Sequence, residues 1–158
     1  MEYVKVADTI NHEVLLFLTR LSARFDRLLS PKTIALADDL ADFAMMANDI
    51  GAPNDRTKYD LREKYLLQAK ATNAALDRRL RRVYEVLMLN PQGCFTRANG
   101  KTVPKGKAVE LLDNMCEELG CLIDREDALL DGVLASDLKK WGIVVLKDEQ
   151  DKRAKEKD

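Results

Sequence analysis

Arg78, Arg79, Arg81 and Arg82 fall within about one and a half helical turns of one another. Four guanidinium groups so close together repel unless carboxylates or phosphates lie nearby, and each is a planar fork that suits either oxyanion. Lys64 and Lys70 precede them on the same helical stretch, and Lys101 and Lys105 follow in a loop. These eight side chains form a candidate nucleic-acid-binding set, because each contact with a phosphate backbone adds salt-dependent affinity. The competing explanation uses acids downstream. Asp113, Glu117 and Asp124 can receive the arginines within one subunit or across an oligomer, which makes them a candidate partner-binding set.

The charge is strongly segregated along the chain. Residues 56–107 carry 13 basic and 4 acidic side chains, whereas residues 108–137 carry 1 basic and 9 acidic. The formal net charge of −1 therefore conceals one basic and one acidic surface.

Other chemistry is thinly represented. The one histidine, His12, falls on the polar side of its helix, so imidazole general-base and nucleophile schemes have no support. Cys116 and Cys121 stand about 140° apart around a helix and cannot face one metal unaided. Together with Cys94 they read as reduced thiols. Di-iron bundles direct Glu and Glu-x-x-His ligands inward, but no Glu-x-x-His occurs, and Glu110, Asp113, Glu117, Asp124 and Asp131 of the last long helix face away from its apolar arc. Gly-rich phosphate loops and the nucleophile-elbow pattern are also missing. The expectation is a non-enzymatic protein with no catalytic residue, cofactor or metal. Asn48 falls on an apolar arc and must be hydrogen-bonded if enclosed, either to fix a helix end or to meet a partner.

Four helices must position these groups. With 7 Gly and 4 Pro in 158 residues and abundant Ala, Leu, Lys, Arg, Asp and Glu, helix propensity prevails nearly throughout. Tyr3, Val6, Ile10, Val14, Phe17, Leu21, Phe25 and Leu28 recur at steps of three and four, which predicts a first helix from Tyr3 to Leu29, with Arg20, Arg24 and Arg27 along its edge. Ser30-Pro31 then reads as a capped start for a second helix to Ile50, because Pro suits the first helical position. Its wide apolar arc includes Ile34, Leu36, Leu40, Phe43 and Met45. Gly51 and Pro53 end it. Asn54, Asp55 or Thr57 can cap a third helix that runs to Leu89 and buries Leu61, Tyr65, Ala69, Thr72, Leu76, Leu80, Val83 and Leu87. A basic loop that also carries Arg97 leads to a fourth helix from Lys107, with Leu112, Met115, Leu119, Leu122, Ile123 and Leu130 inward.

The expected architecture is an all-α, antiparallel up-down four-helix bundle over residues 1–146. A charged tail over 147–158 forms a solvated helix or stays disordered, because it has nothing to bury. No apolar run approaches the roughly 20 residues of a membrane span, and no signal segment opens the chain, so a cytoplasmic protein with no membrane partner is expected. Leu67 and the small residues Ala35, Ala37, Ala41, Ala44 and Ala47 exceed what one bundle core requires, which points to a homo-oligomer.

The stretch ALADDLADFAMMANDIGAPNDRTKYDLREKYLLQAKATNAAL resembles the core of the Avd-like four-helix-bundle proteins. These are accessory proteins associated with the reverse transcriptases of diversity-generating retroelements. The matching positions are Ala47, Asn48, Ile50, Arg62, Gln68, Ala69 and Leu76, and the similar stretch covers about a quarter of the chain. The resemblance implies a non-enzymatic bundle that assembles into a ring-like oligomer and binds a reverse transcriptase and its RNA or DNA template. The chain departs from that pattern in its near-neutral charge, its long 91–107 loop and its charged tail. The alternative is a stand-alone helical protein-protein interaction or regulatory module of a phage or mobile element.

Overall fold

The computed structural model describes residues 1–96 and 99–157 and contains five α-helices: α1 (Glu2–Leu18), α2 (Ala23–Ile50), α3 (Arg56–Leu87), α4 (Lys105–Asp137) and α5 (Ile143–Lys155). Each of the first four packs against two neighbours, α1 on α2 and α4, and α3 on α2 and α4. This is the antiparallel up-down four-helix bundle expected from the composition and the helical periodicity. Arg97 lies outside the described residues.

Spacing, more than hydrophobicity, decides which residues of α3 face inward. Tyr59, Arg62, Leu66, Ala69, Asn73, Leu76, Leu80, Val83 and Leu87 are buried, in strict alternation of three and four. A mean step of about 3.5 keeps one seam against its partners in a left-handed supercoil. The expected stripe is therefore rotated at its start. Leu61 is exposed, Tyr65 and Thr72 are half-buried, and Arg62 and Asn73 take the core positions.

The first helix ends sooner than its apolar stripe implies. α1 stops at Leu18, and Ser22 takes an extended conformation as the residue before α2. Pro31 consequently lies inside α2 instead of at its start. Pro31 has no amide to offer the preceding turn. Nearby, the Ser30 hydroxyl donates to Asp26 and Thr33 Oγ1 donates to the Leu29 carbonyl at 2.7 Å. Turning at residues 19–22 extends α2 to 28 residues, about 42 Å, comparable with the 32 of α3. Leu28, expected in the core, is left exposed, whereas Leu21 turns inward.

Other boundaries follow the local signals. Gly51 adopts φ 66° after α2. Asp55 caps α3 by accepting from the Lys58 amide at 2.8 Å. On α2, Ala37, Ala44 and Ala47 lie inside the core, so they serve close helix packing within one subunit and not an oligomer contact.

The C-terminal segment continues the bundle. A wide π turn over Leu138–Gly142 links α4 to α5, and Val145 is buried. The wider i→i+5 turn lets Asp137 and Val145 on either side of it both stay buried, with Trp141 half-buried between them. Residue 147 marks no structural boundary: α5 runs through it as a solvated helix, and Glu149 lies 3.8 Å from Arg56 of α3.

Candidate nucleic-acid interface

The bundle gathers cations that are distant in sequence. The turn between α1 and α2 lies beside the connection between α3 and α4, because the Arg20 guanidinium donates to the Cys94 carbonyl at 3.4 Å and covers the Phe95 ring at 4.7 Å. Arg20, Arg24, Arg27 and Lys32 therefore share one end of the molecule with Arg78, Arg79, Arg81, Arg82, Lys101, Lys105 and Lys107. Asp26, Asp77, Glu85, Glu110 and Asp113 are the acids of the same segments, so positive charge prevails there.

Of the arginines on α3, Arg78 and Arg82 stand one turn apart on the outer face, opposite the buried seam. Among the described residues neither has a carboxylate within ion-pair distance. Arg81 pairs with Asp77 one turn earlier at 3.0 Å but remains largely exposed. Arg79 is half-buried, and its Nε has no partner among the described residues. Lys101, just before α4, and Lys105, at its start, are exposed.

Two of the expected cations belong elsewhere. Lys70 bridges Asp131 at 2.8 Å and Asp127 at 3.4 Å on α4, and these contacts, Asp131 first, raise its pKa. It serves as a link between α3 and α4. Lys64 is exposed but stands about four turns from Arg78, on the N-terminal half of α3. Conversely, Arg20, Arg24, Arg27, Lys32 and Lys107 join the site although their spacing in the sequence does not assign them to it. The signal is present as a basic edge at 20–27, but its place depends on where the chain turns.

The acids separate likewise. Asp113 accepts a short hydrogen bond from the Tyr84 hydroxyl, which raises the tyrosine pKa. Glu117 lines a groove of about 570 Å³ between α1 and α4 with Glu13, Glu118 and Cys121. Asp124 is exposed. Among the described residues none of the three meets the α3 arginines within the subunit. His12 is exposed as expected, and Asn48 is half-buried at the end of α2, where its carbonyl accepts from the Gly51 amide.

At the opposite end the interior is polar. Arg62 is 3% exposed; its Nε donates to Asp137 Oδ2 at 2.5 Å, and its Nη1 donates to the Ala47 carbonyl at 2.7 Å and the Gly51 carbonyl at 3.3 Å. One side chain thus fixes the end of α2 to α4 and satisfies carbonyls that a helix terminus leaves without partners. The Tyr3 hydroxyl lies close to this pair; burial, first, and Asp137 raise its pKa against the opposing effect of Arg62. About three turns before Asp137 on α4, Glu126 is completely buried, neither carboxyl oxygen has a partner among the described residues, and burial pushes its pKa up to about 8. Asn73 Nδ2 donates to the Ile123 carbonyl at 2.9 Å, while its Oδ1 has no partner among the described residues.

The thiols are not paired. Cys94 and Cys116 are half-buried, with pKa values raised chiefly by burial, and Cys121 is exposed. Among the described residues no group of three His, Cys, Asp or Glu side chains is placed to hold a metal ion. No helix among them is long and apolar enough to cross a membrane.

The fold and its charge distribution define a helical bundle with one cationic end. Comparison with protein-family models, curated proteins and solved structures gives no match.

Proposed function

We propose that this bundle is a non-enzymatic accessory subunit that binds nucleic acid through its cationic end. The more specific reading is a homo-oligomeric, cytoplasmic partner of a reverse transcriptase and its RNA or DNA template, as in diversity-generating retroelements. One observation carries the nucleic-acid reading: the turn between α1 and α2, the end of α3 and the start of α4 bring their arginines and lysines to one end, where Arg78 and Arg82 have no carboxylate partners among the described residues. Such an arrangement is electrostatically unfavourable in isolation and becomes favourable when phosphates replace the missing counter-charges. The resemblance to Avd-like proteins supports the reverse-transcriptase association. Two of its positions also share a structural role, since Arg62 binds the carbonyl of Ala47.

A salt titration tests this reading. Affinity for RNA or single-stranded DNA should fall steeply with salt, and Arg78→Gln, Arg81→Gln and Arg82→Gln together should reduce the log–log slope by roughly one for each phosphate no longer neutralised. Binding should weaken alike for all sequences, and the fold should persist because the three side chains are exposed. Unchanged binding in the triple variant refutes the assignment.

The second reading, a protein-protein interaction or regulatory module of a phage or mobile element, draws on the acidic groove at Glu13, Glu117 and Glu118. Loss of the oligomeric state in the same triple variant, with nucleic-acid binding unchanged, favours it.

A further inference from the structure

Between the turn that joins α1 to α2 and the segment that follows α3 is a cleft of about 440 Å³. Arg20, Ser22 and Phe25 line it on one side, and Asn90, Cys94 and Thr96 on the other. This volume lies within the usual range for small-ligand sites, about 300–1,000 Å³. The Arg20 guanidinium lies over the Phe95 ring, 4.7 Å from its centroid, and one of its amino groups is held by the Cys94 carbonyl. A cation laid on an aromatic ring and tied at one edge has lost much of its side-chain freedom before any ligand arrives. Arg20 is nevertheless exposed and has no carboxylate within ion-pair distance among the described residues, so the guanidinium remains accessible to a ligand.

We infer that this cleft receives one unpaired nucleotide of a single-stranded nucleic acid. The base stacks on the Arg20 guanidinium, and its edge meets polar groups of the cleft such as Asn90 and Thr96. Arginine planes and aromatic rings are common platforms for unstacked bases, and they tolerate every base because each has a π face. Phe25 adds apolar surface beneath the same cleft. Ser22 places no side-chain oxygen on the first amides of α2, so those donors add a favourable environment for the adjoining phosphate. A duplex keeps its bases stacked inside and can offer the cleft only backbone. The inference rests on the reading of this end as a nucleic-acid surface and narrows it from polyanions in general to single strands.

The test uses the full chain and two fluorescein-labelled octamers of equal charge, octaadenylate and an abasic strand of the same backbone. Fluorescence anisotropy is measured over a salt series. The wild-type protein should bind octaadenylate at least about fivefold tighter than the abasic strand, the lower end of what stacking one base contributes. Arg20→Lys keeps the charge and removes the plane, so it should abolish the preference while leaving the salt slope unchanged. Phe95→Leu, which removes the supporting ring, should reduce the preference in the same direction. Thermal melts of both variants verify that the bundle is intact. A preference that survives in both variants overturns the assignment to this cleft. Equal wild-type affinity for the two strands overturns base recognition and leaves the cationic surface standing, whereas no binding of either strand at low salt removes both.

Discussion

Replacing Arg62 with Met should be among the most damaging single changes in this protein. The substitution keeps the length of the stem and removes the guanidinium, which leaves Asp137 charged at 5% exposure without its partner. Breaking a buried ion pair from one side costs about 3–5 kcal/mol. The carbonyls of Ala47 and Gly51 lose donors at the same time, and an unmatched buried acceptor costs about 1–3 kcal/mol. These costs overlap, but even the lower figure is a large share of the about 5–15 kcal/mol that stabilises a typical domain. The assay is thermal and urea unfolding followed by circular dichroism. A loss of about 3–5 kcal/mol lowers the midpoint by about 6–20 °C for a chain of this size. Asp137→Leu on the Arg62→Met background should recover much of the loss, because two apolar groups then share a site neither charge needs. A single variant that loses less than about 1 kcal/mol, or a double variant no more stable than the single, refutes the argument that the pair acts as a unit.

Glu126 makes stability depend on pH. Its folded pKa of about 8 lies above the ordinary value of 4.5, so between those values the unfolded chain releases a proton that the folded chain retains. The contribution of Glu126 to stability should therefore be fully present below about pH 4.5 and decline through this window, by up to about 1.4 kcal/mol per pH unit, then level off above about pH 8. Glu126→Gln should flatten the urea midpoint between about pH 5.5 and 8.5 and raise it at the alkaline end; an unchanged profile refutes the burial argument. At Gly142 an added Cβ would lie 2.7 Å from the Tyr59 hydroxyl and 3.0 Å from Leu138 Cδ1. Gly142→Ala should cost about 1–3 kcal/mol by overpacking, read as a lower melting temperature. Exposed Leu67, Met45 and Met46 leave apolar surface on α2 and α3, and light scattering at micromolar concentration should show a homo-oligomer; a monomer there counts against it.

Local chemistry in the sequence determined much of this fold. Helix ends at Gly51 and Asp55 follow from groups that act within a few residues, a glycine free to take a positive φ and a carboxylate that caps its own helix. The inward face of α1 and the apolar positions Leu112, Leu119, Ile123 and Leu130 of α4 were legible because they keep helical spacing, whereas the buried Glu126 and Asp137 between and beyond them were not. Tertiary structure decided the rest. Ser30-Pro31 has the chemistry of a helix start, yet packing sets the turn at residues 19–22 and leaves the proline inside α2. Along α3, a reading by hydrophobicity selects Leu61, whereas the seam selects Arg62; sustaining the alternation of three and four through polar residues would have revealed both Arg62 and Asn73. A sequence also fixes how many cations a chain has but not where they meet. Arg20, Arg24 and Arg27 join Arg78 and Arg82 only because antiparallel packing brings the turn between α1 and α2 beside the connection between α3 and α4, where Arg20 meets Cys94 across 74 residues of chain.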